Sequence, residues 1–145
     1  PTELFDEVGE SIGKVGHEFG ATTGRKRRCG WIDLPALKYA IAINGVTKLM
    51  MMKADVLSHL DSIKVCTHYI HQNETIDYLP FDSSIDSITP VYKELPSWKE
   101  DITKLSDISQ APAELTNYIA FLEKELQTPI VIVSVGPDRT QTLLR

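Results

Sequence analysis

No apolar run in this 145-residue sequence is long enough for a membrane-crossing helix; runs such as Leu49 to Met52 and Ile130 to Val133 are strand-sized. The opening residues carry no basic-then-apolar leader, so no secretory signal is expected. Cysteine is scarce. Cys29 and Cys66 stand far apart, with no CxxC pair and no histidine at metal spacing, which leaves a structural zinc site without its ligands. Two unpaired thiols fit a reducing, cytoplasmic setting, both as small buried side chains. An excess of positive charge is also lacking: the formal charge is -5, which argues against a partner bound through nucleic-acid phosphates. HExxH and Walker-type phosphate loops are absent from the sequence.

What is present reads as one soluble domain with a sizeable core: 42% of residues are hydrophobic and the mean hydropathy is -0.13. The first residue is Pro1 rather than Met, and the expectation is a piece of a longer protein. Thr2 is expected to cap a helix carrying Leu4, Phe5, Val8, Ile12 and Val15 and stopping near Gly16. Asp33 is expected to cap a second helix with Pro35 in its first turn, a stripe of Leu37, Ala40 and Ile41, and an Asn44-Gly45 stop. The run Val46 to Met52 suits a strand buried on both faces. Residues 62 to 71 alternate as a strand, and the Gln72-Asn73 turn leads into Thr75 to Leu79 as the second arm of a hairpin. From Pro80 to Pro112 the composition predicts a long irregular excursion with short strands. Pro112 opens a helix with Leu115, Tyr118, Ile119, Leu122 and Leu126 on one face, and Ile130 to Val135 is a second buried strand. Trp31 and Trp98 read as packing residues. His68 and His71 fall on opposite faces of their strand, and His17 and His59 have no evident partner.

Three loops can carry chemistry. In Gly20-Ala21-Thr22-Thr23-Gly24-Arg25-Lys26-Arg27-Arg28, hydroxyls and four successive cations sit in a glycine frame suited to bidentate anion recognition; a solvated basic patch is the plainer alternative. Lys53-Ala54-Asp55 follows a predicted buried strand, where open parallel sheets gather ligands. A carboxylate there can accept from N1–H and the exocyclic amine of guanine, which adenine does not offer, and the lysine stem can lie across the base. The alternative is an ion pair facing solvent or a cap on the following turn. Ser134-Val135-Gly136-Pro137-Asp138-Arg139 follows the other buried strand; alone it is a strand-ending turn, but with Lys53 and Asp55 it has the layout of a guanine site.

In this order and spacing the three loops resemble the adenylosuccinate synthetase family. The likeness is densest over Glu18 to Asp33 and continues through Asn44-Gly45-Val46, Lys53 to Leu57, Ile63 to Cys66, Pro90-Val91-Tyr92 and Ser134 to Arg139. Ser97, where the family commonly has glycine before the tryptophan, is a departure. The resemblance implies an α/β fold, the C-terminal part of a P-loop-NTPase-like sheet with flanking helices and a small β-rich excursion. The chain is then a single C-terminal piece of a larger enzyme: 1–60 with the aspartate loop and Lys-x-Asp loop, 61–111 with the hairpin and excursion, and 112–145 with the last helix, strand and Ser-Val-Gly-Pro loop.

The implied reaction is GTP-dependent ligation of IMP and L-aspartate in AMP biosynthesis, by a cytoplasmic homodimer with neither nucleic acid nor membrane as partner. The resemblance gives Ala21, Thr22, Thr23, Gly24, Arg25, Lys26 and Arg27 to aspartate, Arg25 also to IMP, and Arg27, Lys53, Ala54, Asp55, Ser134, Val135 and Gly136 to GTP. It puts the Mg²⁺ ligands, the phosphate loop and the catalytic Asp and His in the N-terminal part, so no catalytic residue is expected here and the chain alone is expected not to turn over. A non-catalytic nucleotide- or anion-binding module, or a structural piece with disordered loops, is the alternative.

Overall fold

The computed structural model describes residues 1–81 and 87–145, so the part of the expected excursion at 82–86 lies outside the described residues. The chain divides into two compact units, Pro1–Tyr39 with Lys64–Glu94, and Ala40–Ile63 with Leu95–Arg145.

In the first unit, helix α1 spans Glu7–Val15. Its cap is Asp6, whose carboxylate accepts from the Gly9 amide at 3.0 Å, and not Thr2 as expected. A non-local pairing displaces the cap. Leu4 N–H donates to the Cys29 carbonyl and Trp31 N–H to the Thr2 carbonyl, holding residues 2–4 extended against 29–31. The helix ends at Gly16 as predicted.

Strand β1 (Ile32–Asp33) lies parallel to β3 (Ser62–His71), which turns through Gln72-Asn73 into antiparallel β4 (Glu74–Ile76). Both turn residues have positive φ, 51° and 64°, the geometry that matches the twist of a tight hairpin. The second arm is shorter than the predicted Thr75 to Leu79. The 80–112 stretch holds a nine-residue strand, β5 (Ile88–Pro96), paired with β3. Pro90 and Pro96 hid it in the sequence; among the described strands β5 pairs with β3 alone, and proline is tolerated on a sheet edge.

Helix α2 (Leu34–Asn44) starts where the sequence places it: Asp33 Oδ1 accepts from the Ala36 amide at 3.2 Å. The same oxygen accepts from the buried Tyr69 hydroxyl at 2.5 Å. Burial first, and that bond second, raise the Tyr69 hydroxyl well above its ordinary pKa. Cys66, Tyr69, Ile76 and Ile88 form a buried cluster with Tyr92 against it.

Burial, with the Asp33 charge second, pushes the Cys66 thiol up to about 11 from an ordinary 9.0. An unfolded chain releases that proton near 9.0, so folding stability declines as pH rises from there towards 11. Neither cysteine is in a disulfide, and Cys29 is only half-buried. Alkylation by iodoacetamide at pH 8 is expected to label Cys29 and spare Cys66, as peptide mass spectrometry of the folded chain will show.

In the second unit, β2 (Leu49–Met51) pairs in parallel with β6 (Ile130–Ser134), which pairs antiparallel with β7 (Thr142–Leu144). The expected Val46 to Met52 strand is shorter, and it is not buried on both faces: Met50 and Met52 are 65% and 64% exposed. Among the described residues β2 has β6 as its strand neighbour, and those methionines stay largely uncovered. Helix α3 (Ala113–Leu126) follows Pro112 and buries the five predicted residues, Leu115, Tyr118, Ile119, Leu122 and Leu126. Tyr118 packs on buried Trp98, ring centroids 5.8 Å apart. Glu123 accepts from the Ile130 amide at 2.7 Å and from Arg145 at 2.6 Å, tying α3 to β6 and the residue after β7.

Candidate functional site

The basic loop belongs to the first unit. Below its tip, Phe19 and Lys26 form an antiparallel bridge, and Gly20 N–H donates to the Arg25 carbonyl at 2.8 Å. The tip, Ala21 to Gly24, closes through Gly24 N–H on the Gly20 carbonyl, with Gly24 at φ 64°. Ala21 to Arg28 are all exposed, so threonine hydroxyls and cations face solvent together. Two cations are tethered. Arg27 meets Glu18 at 3.2 Å, and Arg28 donates through Nε to Glu3 at 2.6 Å. Among the described residues no ion pair holds Arg25 or Lys26. Beside the loop lies a cavity of about 640 Å³ whose lining includes Leu4, Phe5, Phe19, Lys26, Arg27 and Cys29. As partners of these arginines Glu3 and Glu18 were missed in the sequence; Glu18, directly before the glycine frame, was the findable one.

The other two loops belong to the second unit, and there the structure brings them together. β2 and β6 run parallel with Met51 opposite Val133, so Lys53-Ala54-Asp55 and Ser134-Val135-Gly136 leave the same end of one sheet from neighbouring strands. Lys53 adopts the left-handed conformation at φ 59°, breaking the line of β2 and starting a 3-10 turn over Ala54–His59. Ala54 is buried, Lys53 is exposed and Asp55 is half-buried. The Asp55 Oδ1 atom is buried without a hydrogen-bond partner. A buried acceptor left unmade destabilises the fold, and such groups concentrate where a ligand completes them.

On the β6 side, the buried Ser134 hydroxyl donates to the Gly136 carbonyl at 3.0 Å, folding the strand end into a corner. Gln141, unnoticed in the sequence, braces that corner. Its carbonyl accepts from Val135 N–H at 2.9 Å, its side-chain oxygen accepts from Asp138 N–H at 2.9 Å, and its amide donates to the Thr103 carbonyl at 2.9 Å. A Cβ on Gly136 would stand 2.3 Å from the Gln141 side-chain oxygen. Gly136→Ala is therefore expected to evict Gln141 and lower stability by about 1–3 kcal/mol, which urea denaturation checks. The Asp138 carboxyl is held below the usual carboxylate range by the Thr140 hydroxyl and amide, closing the turn beyond the corner.

The adenylosuccinate synthetase family profile matches residues 1–143. The chain belongs to the adenylosuccinate synthetase family. Curated adenylosuccinate synthetases of Christiangramia forsetii, Flavobacterium johnsoniae and Bacteroides thetaiotaomicron are 63%, 57% and 57% identical to it over 145 residues. In each comparison all of this chain aligns with 34% of the relative, so the chain spans about a third of those synthetases' length. A solved structure, that of a fully ligated adenylosuccinate synthetase from Plasmodium falciparum, superimposes with a TM-score of 0.91 at 36% identity. It covers 99% of this chain and 35% of its own. The mixed α/β fold implied by the resemblance is thus the fold observed.

The histidines of this synthetase-family chain do not assemble a metal centre. His68 Nδ1 meets the Thr67 hydroxyl at 2.9 Å, His71 Nδ1 meets the Ser87 carbonyl at 3.2 Å, and His59, without an evident partner in sequence, has Nδ1 2.6 Å from the Val56 carbonyl. Among the described residues, no group of three or more His, Cys, Asp or Glu side chains is placed to hold a metal ion.

Proposed function

We propose that this chain supplies the guanine pocket and the aspartate loop of a GTP-dependent ligase that joins IMP to L-aspartate. The observation that carries the proposal is the buried, unpartnered Asp55 Oδ1 beside the Ser134–Gly136 corner, on neighbouring parallel strands. The Asp55 carboxylate accepts from guanine N1–H and its exocyclic amine. Adenine has no N1 proton and would set an acceptor against that carboxylate, which is the basis of discrimination. The Lys53 stem lies along the base plane, and Ala54, Val135 and Gly136 wall the slot. Ser134 keeps the corner folded.

In the exposed loop, Thr22, Thr23 and Arg25 hold the aspartate carboxylates, with Ala21, Gly24 and Lys26 shaping the turn, and Arg25 reaches IMP as well. Arg27, paired with Glu18 at 3.2 Å, is the loop cation assigned to GTP. Mg²⁺ would offset phosphate charge in phosphoryl transfer. Among the described residues no group of three or more His, Cys, Asp or Glu side chains is placed to hold it. The proposal extends to a cytoplasmic, homodimeric enzyme and to a chain that forms no adenylosuccinate unaided.

Titrating GTP and ATP while following Trp98 emission tests the pocket, since Trp98 lies in the same unit as both loops. Saturable quenching by GTP and not ATP is expected. Equal weak binding of GTP, ATP and pyrophosphate would favour the anion-binding module, and no binding would refute the pocket.

A further inference from the structure

Asp55 Oδ1 is not alone on its turn: Ser58 Oγ is also buried without a hydrogen-bond partner. The turn Ala54–His59 is a 3-10 helix. With three residues per turn, positions three apart eclipse, so Asp55 and Ser58 share one face. Two backbone carbonyls of the turn are engaged elsewhere. The Leu57 carbonyl accepts from the Ser97 hydroxyl at 2.8 Å, and the Val56 carbonyl lies 2.6 Å from His59 Nδ1. The third such atom, Trp98 Nε1, belongs to an indole packed on Tyr118 and is not on this turn.

The two oxygens are chemically complementary. A carboxylate oxygen accepts only, whereas a serine hydroxyl has a proton to donate and rotates freely to aim it. Oδ1 is shielded from solvent while Asp55 as a whole is half-buried, so a donor on the same turn is better placed to reach Oδ1 than an arriving base is. We infer that Ser58 is the positioning residue for Asp55. When a guanine edge engages the outer side of the carboxylate, the Ser58 hydroxyl closes on Oδ1 and fixes the carboxylate plane. This rests on the guanine-pocket reading above. A hydrogen bond to an ionised acceptor is about twice as strong as a neutral one, so a single hydroxyl suffices.

Calorimetric titration with GDP and ADP of the unsubstituted chain, Ser58→Ala, Ser58→Thr, Asp55→Ala and the Ser58→Ala/Asp55→Ala pair is the test. Ser58→Ala should weaken GDP binding about tenfold and leave ADP binding unchanged. Its ligand-free melting temperature should not fall, because the hydroxyl removed has no partner in that state. Ser58→Thr, which keeps a hydroxyl, should bind GDP within about twofold of the unsubstituted chain. The Ser58→Ala effect should vanish once Asp55 is alanine. A chain that prefers GDP and keeps that preference in Ser58→Ala overturns this inference and leaves the pocket standing. A loss that persists in the Asp55→Ala background, or that is equal for ADP, overturns it too. An unsubstituted chain that does not distinguish GDP from ADP overturns the pocket and the inference together.

Discussion

Asp55→Ala should abolish the preference for guanosine over adenosine nucleotides while leaving the fold as stable as before, or more so. The two halves of that result come from the same side chain. Oδ1 is buried without a partner, so in the empty protein it contributes an unmet desolvation penalty that alanine removes. In the complex, the carboxylate supplies the hydrogen bonds that adenine lacks the protons to match, worth about 1–3 kcal/mol. GDP affinity is therefore expected to fall about 5- to 150-fold, with ADP affinity flat and the denaturation midpoint level or raised. A residue kept for packing behaves in the opposite way: its truncation lowers stability first, and binding falls indiscriminately.

Leu122→Ala should show that opposite behaviour. Leu122 is 1% exposed on the buried face of α3, between Ile119 and Leu126. Deleting its side chain removes apolar burial and leaves a hole that neighbours on a helix only partly collapse into, for a loss of about 2–5 kcal/mol. Against the roughly 5–15 kcal/mol that separates folded from unfolded domains, this is a large share. Guanidinium denaturation should show a lower midpoint at similar slope, and an unchanged midpoint would mean that α3 does not organise the second unit.

α3 was legible because its signal is local and complete: a proline at the start, apolar residues at helical spacing and a Thr128-Pro129 stop, all within one segment. The β3–β4 hairpin was legible for the same reason, its turn residues lying next to the alternation they connect. The failures are non-local. Thr2 and Asp6 are both good capping residues, and the choice between them is made by the pairing of residues 2–4 with 29–31. The Val46 to Met52 run has the composition of a doubly covered strand, yet burial depends on neighbours the local sequence does not name, and Met50 and Met52 remain exposed in this chain. β5 was masked by prolines that only an edge position permits.

For the candidate site, polar loops after two predicted strands drew attention to Lys53, Asp55, Ser134 and Gly136, and the family resemblance supplied their roles. That the two loops leave one sheet edge together depends on the β2–β6 parallel pairing, which no local pattern encodes. Ser58 and Gln141 were invisible without the structure. One acts through the three-residue repeat of a 3-10 turn, and the other reaches the Ser134–Gly136 corner only because the chain folds back after Asp138.

Backbone amide shifts in ¹⁵N-labelled chain during titration with GDP, and separately with ADP, give the most direct test of the pocket. GDP should move the amides of Lys53 to Ser58 and of Ser134, Val135, Gly136 and Asp138 together and saturably, with ADP leaving both sets in place. Shifts confined to the Gly20–Arg28 loop, or the same shifts with either nucleotide, would contradict a guanine pocket between β2 and β6.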